Sequence, residues 1–194
     1  QPVCADFTTP LDLPDLAIEP RSRFVFFPGS TMGNFDPSGR RELLRQMVAL
    51  CEPEGGGVLI GLDLLKDRST LEAAYNDRRG VTAAFNLNLL ERVNRELDGS
   101  FDLDRFQHDA PFNEDEERIE MHLVSTEAQT VSIGEERVRF EAGERVCTEH
   151  SHKFSIEGFS ALAGEVGLRR RAVWTDDDGL FAVALFETGG ATAG

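Results

Sequence analysis

The chain has 194 residues, with 20 Lys and Arg against 35 Asp and Glu, which gives a formal net charge of −15. This length suits one domain or two small ones with a buried core, and the 40% apolar content is too high for a disordered chain. Because nucleic-acid affinity comes mainly from clustered Lys and Arg, the acidic charge argues against DNA or RNA as a partner.

The sequence also argues against a membrane partner and against secretion. No apolar run approaches the roughly 20 residues of a membrane helix, and the first residues lack the basic start and apolar stretch of a signal peptide. Cys4, Cys51 and Cys147 are far apart, so neither a disulfide framework nor a CxxC zinc site is expected. The cytoplasm is the expected compartment.

The first elements predict a parallel sheet. Phe24–Phe27 is a continuous apolar run ended by Pro28-Gly29, which predicts a strand buried on both faces. Asp36-Pro37 then provides an N-cap and a first helical residue, and Val58–Leu64 reads as a second buried strand. A strand, a helix and a strand with short connections form a βαβ unit, which predicts an α/β fold.

The middle of the chain predicts a different pattern of elements, with two helices followed by antiparallel strands. Ser69-Thr70-Leu71-Glu72 predicts a capping box opening a short helix, and a longer helix is predicted over residues 82–97. The apolar residues that would share one face of this longer helix are Phe85, Leu89, Val93 and Leu97. Period-2 alternation over 119–123, 131–133 and 138–140 then predicts antiparallel strands.

Near the end of the chain the sequence again predicts a helix followed by strands. Ser155 is placed to cap a helix that ends at Gly167, and Asp177-Asp178-Gly179 predicts a hairpin between two strands, with Trp174 in the core or packed on the hairpin. We therefore predict one α/β domain over residues 1–64 and 154–194, with an α+β lobe over residues 65–153 inserted into it. A parallel sheet that ends in an antiparallel hairpin is found in many S-adenosylmethionine-dependent methyltransferases, which is analogy at the level of fold.

The loop from Phe27 to Phe35 is the first candidate binding site. It lies between the carboxyl end of a strand and the start of a helix, where open α/β sheets bind ligands. Gly29 lets the backbone approach a ligand closely, and Asn34 offers both a donor and an acceptor. A loop shaped only for its turn would look the same, so its position leaves both interpretations open.

The segment from Cys147 to His152 is the second candidate. On a strand, Cys147, Glu149 and Ser151 would share one face, with His150 and His152 on the other. A metal site built on these two histidines, with or without His122, lacks a third ligand at a recognisable spacing, and we expect no metal. Glu149 and Ser151 could grip a polar, partly cationic side chain, although a solvated strand face is the alternative.

Five spaced segments together closely resemble the histidine-specific N-alpha-methyltransferase family of ergothioneine biosynthesis. The resemblance covers essentially the whole chain and is carried by Phe26–Phe35 (FFPGSTMGNF), Gly80–Leu89 (GVTAAFNLNL), Ile119–Ser125 (IEMHLVS), Glu149–Phe154 (EHSHKF) and Trp174–Ala182 (WTDDDGLFA). Members of this family use S-adenosylmethionine (SAM) to trimethylate the alpha-amino group of L-histidine, which gives hercynine. They combine a Rossmann-like class I methyltransferase domain with an inserted substrate-binding lobe, and the resemblance implies the same fold here.

The resemblance also implies roles for particular residues. Tyr75 and Met121, which alone would read as a surface tyrosine and a core methionine, join the residues that bind the substrate histidine. The implied substrate-binding residues are Gly29 and Asn34 for the alpha-amino and carboxylate groups, Tyr75 for the carboxylate, Met121 for the side-chain pocket, and Glu149 with Ser151 for the imidazole. Asp6 and Phe7 match the acidic and aromatic pair beside the adenine of SAM.

One departure from the family pattern concerns the methyl-donor site. Family members carry an upstream segment with a glycine-rich loop and an acidic residue that holds the ribose, and neither is in this sequence. The resemblance places Gln1 at the start of a middle strand of the Rossmann-like sheet. We therefore expect this chain to be the C-terminal portion of the enzyme and to be inactive by itself.

The leading hypothesis is a SAM-dependent methyltransferase for L-histidine, in which catalysis is chiefly positioning and needs no acid–base residue. A methyltransferase for another amino acid, such as tryptophan, is the first alternative. Glu149 disfavours it, because a carboxylate facing an apolar indole would lose its hydration without a charged partner. The second alternative is a non-catalytic binding domain without the methyl-donor half, which a reading frame starting near Gln1 would favour.

Overall fold

The computed structural model describes residues 2–15, 18, 20–51 and 56–189. Gln1, which the resemblance places at the start of a strand, lies outside them. The chain separates into two compact units, Gln1–Leu65 with Lys153–Gly194, and Lys66–His152. A search of the described residues finds no helix long and apolar enough to cross a membrane.

The elements alternate between helices and strands at both ends of the chain and are mostly strands in the middle. In chain order they are β1 (Phe24–Phe27), α1 (Pro37–Leu50), β2 (Gly57–Asp63), α2 (Arg68–Tyr75), α3 (Val81–Glu96), β3 (Phe106–Asp109), β4 (Phe112–Asn113), β5 (Arg118–Ser125), β6 (Gln129–Ile133), β7 (Glu136–Phe140), β8 (Arg145–His152), α4 (Ile156–Gly164), β9 (Leu168–Thr175) and β10 (Phe181–Thr188).

The first unit contains a mixed four-stranded sheet in the order β1-β2-β10-β9. β1 and β2 are parallel and are joined through α1, so the predicted βαβ unit is confirmed. β10 runs antiparallel to β2 and to β9, which confirms the predicted closing hairpin. The sheet packs against α1 and α4 around a core whose largest fully buried side chains include Met32, Leu44, Ile60, Leu62, Phe159 and Phe186.

β1 differs from the prediction of a strand buried on both faces. Phe24 is 54% exposed and Phe26 is 66% exposed, whereas Val25 and Phe27 are half-buried. Among the described residues, β1 pairs only with β2, and α1 covers one of its faces, so the other face has no cover. Trp174 on the edge strand β9 is likewise 55% exposed, so of its two predicted positions the one in the core is wrong.

The second unit is built around β5, which pairs antiparallel with β3, β4 and β8. Buried and half-buried residues alternate along β5, with Ile119, Met121 and Leu123 all buried, so the predicted period-2 strand is confirmed. The helices α2 and α3 pack against β5. A separate hairpin of β6 and β7 completes the unit, as the alternation in the sequence predicts.

Two details of the helices in this unit differ from the prediction. α2 begins at Arg68 with Asp67 as its N-cap, so the capping box starting at Ser69 is wrong. The Asp67 carboxylate accepts hydrogen bonds from the Thr70 backbone N–H at 2.9 Å and from two hydroxyls, which makes it the stronger cap. The apolar face predicted for α3 is largely exposed, with Phe85 at 64%, because Asn86 and Leu90 face the interior instead.

Candidate functional site

The loop after β1 is held in a fixed conformation by its own backbone and by β2. Gly29 has φ +79° and Ser30 has φ +57°, and a short 3-10 turn follows over Thr31–Asn34. The Ser30 hydroxyl oxygen accepts a hydrogen bond from the backbone N–H of Asp63 at 2.8 Å. The Ser30 carbonyl accepts a second bond from the N–H of Gly33, also at 2.8 Å. The first bond fixes the loop to the carboxyl end of β2, and the second closes the turn within the loop.

Two glycines allow this loop to lie close to the sheet while leaving its outer side open. A Cβ atom on Gly61 would lie 2.8 Å from the Phe181 ring and 3.0 Å from the backbone nitrogen of Gly29, so a side chain there would push the loop away. Around Gly29 itself there is open space. Asn34 is exposed, and its amide has no hydrogen-bond partner among the described residues. The loop therefore offers backbone groups and one amide to a ligand.

An ion pair that the sequence analysis missed lies at the same end of β2. The Lys153 ammonium, whose side chain is fully buried, is 2.7 Å from the Asp63 carboxylate. The Asp63 carbonyl also accepts the N–H of Phe154 at 3.0 Å. The sequence does show a charged residue, Asp63, at the end of an apolar strand. It does not show that the partner is Lys153, because the two residues are far apart in the chain and meet only in the folded structure.

Phe7 packs against both ends of this loop, and Asp6 precedes it in the chain. The Phe7 ring packs edge-to-face on Phe27, with ring centroids 5.7 Å apart, and on Phe35 at 6.3 Å, and it stays 42% exposed. Asp6 accepts hydrogen bonds from the hydroxyl and the backbone N–H of Thr8, which hold the pKa of this exposed carboxyl below its usual value. The pair thus offers an anchored aromatic face next to an ionised carboxylate.

The second unit brings four of the predicted residues together. In the register of β5 with β8, Met121 lies opposite Glu149 and Ile119 lies opposite Ser151, and opposite residues of an antiparallel pair point to the same face. The Tyr75 phenol at the end of α2 lies 2.7 Å from the Ser151 hydroxyl. Met121 is buried in the small core that Tyr75 packs against. Tyr75, Met121, Glu149 and Ser151 therefore form one cluster.

Cys147 does not share the face of Glu149, contrary to the prediction. The register shifts between Met121 and His122, so that Cys147 pairs with His122 while Glu149 pairs with Met121. Thr148 is the extra residue of this β-bulge, and such a residue turns the side chains before it to the opposite face. Cys147 accordingly lies near Glu120 on the other face, where partial burial and the Glu120 charge raise the pKa of its thiol.

That other face carries charged and imidazole groups. The Arg118 guanidinium donates to Glu120 at 2.7 and 2.9 Å and lowers the pKa of this carboxyl. The rings of His150 and His152 lie 6.2 Å apart. Within the described part of the chain, no group of three His, Cys, Asp or Glu side chains is arranged to hold a metal ion. The face is polar and opposite to the one that carries the Glu149 cluster.

Comparison with known proteins decides the family. Residues 1–188 match the family model described as histidine-specific methyltransferase, SAM-dependent. The chain belongs to this family. It is 46% identical over 186 residues to a histidine N-alpha-methyltransferase of Mycolicibacterium smegmatis and 43% identical over 185 residues to the one of Mycobacterium tuberculosis. Each alignment covers 94% of this chain and 56% of the mycobacterial protein, so the chain spans little more than half the length of these relatives.

Other matches are more distant. An L-tryptophan methyltransferase of Psilocybe serbica is 24% identical over 155 residues, covering 79% of this chain and 43% of that protein. Among solved structures, the CcbJ methyltransferase of Streptomyces caelestis aligns with a TM-score of 0.49 and 13% identity, over 96% of this chain and 62% of that one.

Proposed function

We propose that the protein acts as an L-histidine N-alpha-methyltransferase that uses SAM and forms hercynine, the trimethylated product, as a step of ergothioneine biosynthesis. The observation that carries this proposal is the position of Glu149, which lies on the same sheet face as Ser151 and opposite Met121. A carboxylate and a hydroxyl on one face suit the two nitrogens of an imidazole, of which one donates and the other accepts.

The two groups are spaced for that task. Residues two apart on a strand lie about 7 Å from each other, which leaves room for an imidazole ring with a hydrogen bond at each edge. Glu149 would accept the ring N–H, and the Ser151 hydroxyl, held by Tyr75, would meet the other nitrogen. Met121 would supply the apolar wall of the pocket. An indole offers no second nitrogen, so the same groups disfavour tryptophan.

The loop of the first unit carries polar groups that can bind the alpha-amino and carboxylate groups of an amino acid. The amide of Asn34 can donate to a carboxylate or accept from an amine, and the open backbone at Gly29 lets a ligand approach. SAM, when bound, supplies a methyl group on a sulfonium, and the amine nitrogen must be neutral to attack it. The residues of this chain would bind and orient the amine, and such positioning accounts for a large part of rate acceleration.

Asp6 and Phe7 fit the adenine end of SAM. The Phe7 ring is fixed by Phe27 and Phe35 and still exposes part of its surface, onto which a planar base can stack. The ionised carboxylate of Asp6 can accept a hydrogen bond from the exocyclic amino group of the adenine. We infer that these two residues form part of the methyl-donor site.

The proposal extends to organisation and compartment. The unit Lys66–His152 would be the substrate-binding lobe inserted in the methyltransferase domain. L-histidine would be the small-molecule partner. The net charge of −15 disfavours nucleic acid as a partner, because the phosphate backbone is also negative. The cytoplasm would suit its free cysteines Cys4, Cys51 and Cys147, which stay reduced there.

The test uses the complete gene product with SAM and single amino acids. We expect methyl transfer to L-histidine, detected by mass spectrometry as a product with three added methyl groups, and little or no transfer to L-tryptophan. Faster methylation of tryptophan would overturn the histidine assignment. Calorimetric binding of histidine without any methylated product would instead support the non-catalytic alternative.

A further inference from the structure

We propose that the buried Asn86 and the half-buried His108 and Thr148 form a hydrogen-bond network that positions Tyr75 and Glu149 for substrate binding. The inference rests on the function proposed above and concerns residues to which that function assigns no role. The segment Gly80–Leu89 carries part of the family resemblance, yet the substrate-binding set takes nothing from it. Asn86 is the one residue of this segment that is both polar and fully buried.

The Asn86 side chain uses both ends of its amide. Its nitrogen lies 3.0 Å from the carbonyl oxygen of His122 and 3.0 Å from Nδ1 of the His108 ring. Its oxygen accepts a hydrogen bond from the Thr148 hydroxyl at 2.7 Å. A buried amide whose nitrogen and oxygen both have partners stabilises one arrangement of its neighbours, because breaking these bonds leaves buried polar groups without partners.

The network fixes the tautomer of His108 and reaches Tyr75. The Asn86 nitrogen faces a carbonyl, so it is a donor, and Nδ1 of His108 must accept from it. The ring proton of neutral His108 then lies on Nε2 and is donated to the carbonyl oxygen of Tyr75 at 2.9 Å. This bond holds the last residue of α2, whose phenol contacts Ser151.

On its other side the network reaches the β-bulge beside Glu149. Thr148 is the extra residue of that bulge, and its hydroxyl lies within reach of the Asn86 oxygen at 2.7 Å and of the Met121 carbonyl at 3.1 Å. The bulge is what places Glu149, and not its neighbour, opposite Met121. By holding Thr148, Asn86 fixes the direction in which the Glu149 side chain leaves the strand.

The decisive test compares Thr148→Val with Thr148→Ser in the complete gene product. Valine keeps the shape of threonine and removes the hydroxyl, whereas serine keeps the hydroxyl. We expect Thr148→Val to raise the KM for histidine about tenfold, because small displacements of positioning groups cost this much or more, and to leave the KM for SAM unchanged. Thr148→Ser should restore the parent KM. The matched control is Thr130→Val on the exposed side of β6.

Asn86→Ala should raise the KM for histidine at least as much, with the exposed Asn88→Ala as its control. If Asn86→Ala lowers the apparent kcat and leaves KM unchanged, the substitution has only reduced the amount of folded enzyme. That result would overturn the inference. Equal effects of the valine and serine variants would overturn it as well, because the hydroxyl would then not matter.

A readout without turnover separates this inference from the proposed function. In nuclear magnetic resonance spectra, the ring nitrogens of His108 should show the Nε2–H tautomer, and Thr148→Val should shift the amide signals of Tyr75 and Glu149, whereas Thr130→Val should not. A parent protein that fails to methylate histidine refutes the proposed function. Unmoved Tyr75 and Glu149 signals refute the network, whatever the activity.

Discussion

The phenolic oxygen of Tyr75 lies 2.7 Å from the hydroxyl oxygen of Ser151, although the two residues are 76 positions apart in the chain. The contact joins the end of α2 to the end of β8, and Ser151 is buried there. Each hydroxyl can donate or accept, so the pair can hold one proton between them and still offer a bond to a third group. Ser151 thereby has a fixed direction before any substrate binds.

A double-mutant cycle on this pair should show coupling. We expect Tyr75→Phe and Ser151→Ala each to lower the free energy of unfolding, and the double variant to lose less than the sum of the two, with a coupling energy of about 1 kcal/mol. Urea denaturation of the four proteins gives this value. Additive losses would mean that the hydrogen bond contributes nothing to stability.

Asn34→Ala should weaken histidine binding selectively. The amide of Asn34 is exposed and uncommitted among the described residues, so its removal costs the fold little, whereas hydrogen bonds to the charged ends of a substrate are worth about 1.5–3 kcal/mol. We expect a higher KM for histidine and an unchanged KM for SAM, measured by steady-state methylation with the complete gene product. The exposed Asn88→Ala is the control, and kinetics of Asn34→Ala equal to those of the parent would remove Asn34 from the site.

Lys153→Met should destabilise the first unit strongly. The Lys153 side chain is fully buried against Asp63, and removing one partner of a buried ion pair leaves the other charge without its counter-ion, which costs about 3 kcal/mol. Asp63→Asn should cost at least as much, because it leaves the fully buried ammonium without its counter-ion, whereas the carboxylate left by Lys153→Met is 22% exposed on its side chain and can be hydrated in part. Urea denaturation measures both losses. Equal and small losses would show that the pair is dispensable.

The pH dependence of stability should reflect the helix caps of the second unit. Asp77 accepts the N–H groups of Thr82 and Val81 at the start of α3, and these bonds lower the pKa of its carboxyl from 3.8 to about 2. Since the folded pKa lies below the unfolded one, the stabilisation is complete above about pH 4 and is lost as the pH falls toward 2. Asp77→Asn should therefore show a shallower fall of the urea midpoint between pH 4 and pH 2, whereas Asp115→Asn, an exposed residue, should follow the parent.

The sequence alone predicts those features of the fold that depend on residues close together in the chain. Asp36 and Ser155 accept from backbone N–H groups at the starts of α1 and α4, as their positions predict. The alternation of β5 and the turn before β10 likewise follow from neighbouring residues alone. Such features depend on dihedral angles and hydrogen bonds within a few residues, so one sequence is enough to predict them.

Features that depend on distant contacts were not predictable in this way. Nothing near Phe24 indicates that one face of β1 has no cover among the described residues, and the shift at Thr148 depends on how β8 pairs with β5. Asn86 shows the same limit, because α3 has an apolar stripe at helical spacing and yet turns a polar residue inward. Its partners His108 and Thr148 come from two different strands. The roles of the site residues came from the family resemblance and stay predictions.

Substitution of Glu149 tests the proposed specificity most directly. The carboxylate would accept the imidazole N–H of the substrate, a charge-assisted bond worth about 1.5–3 kcal/mol. Glu149→Ala in the complete gene product should therefore weaken calorimetric binding of L-histidine by about tenfold or more. Binding of L-tryptophan should improve, because the carboxylate that rejects an apolar ring is gone.

The matched control for this substitution is Glu136→Ala, which removes an exposed carboxylate from β7 of the same unit. It should leave the affinities for both amino acids as in the parent, since a loss of one surface charge does not alter a pocket. Glu149→Gln adds a second comparison, because its amide oxygen can still accept the ring N–H but carries no charge, so its histidine affinity should fall between those of the parent and of Glu149→Ala. If Glu149→Ala binds histidine as tightly as the parent and gains nothing toward tryptophan, Glu149 does not contact the imidazole.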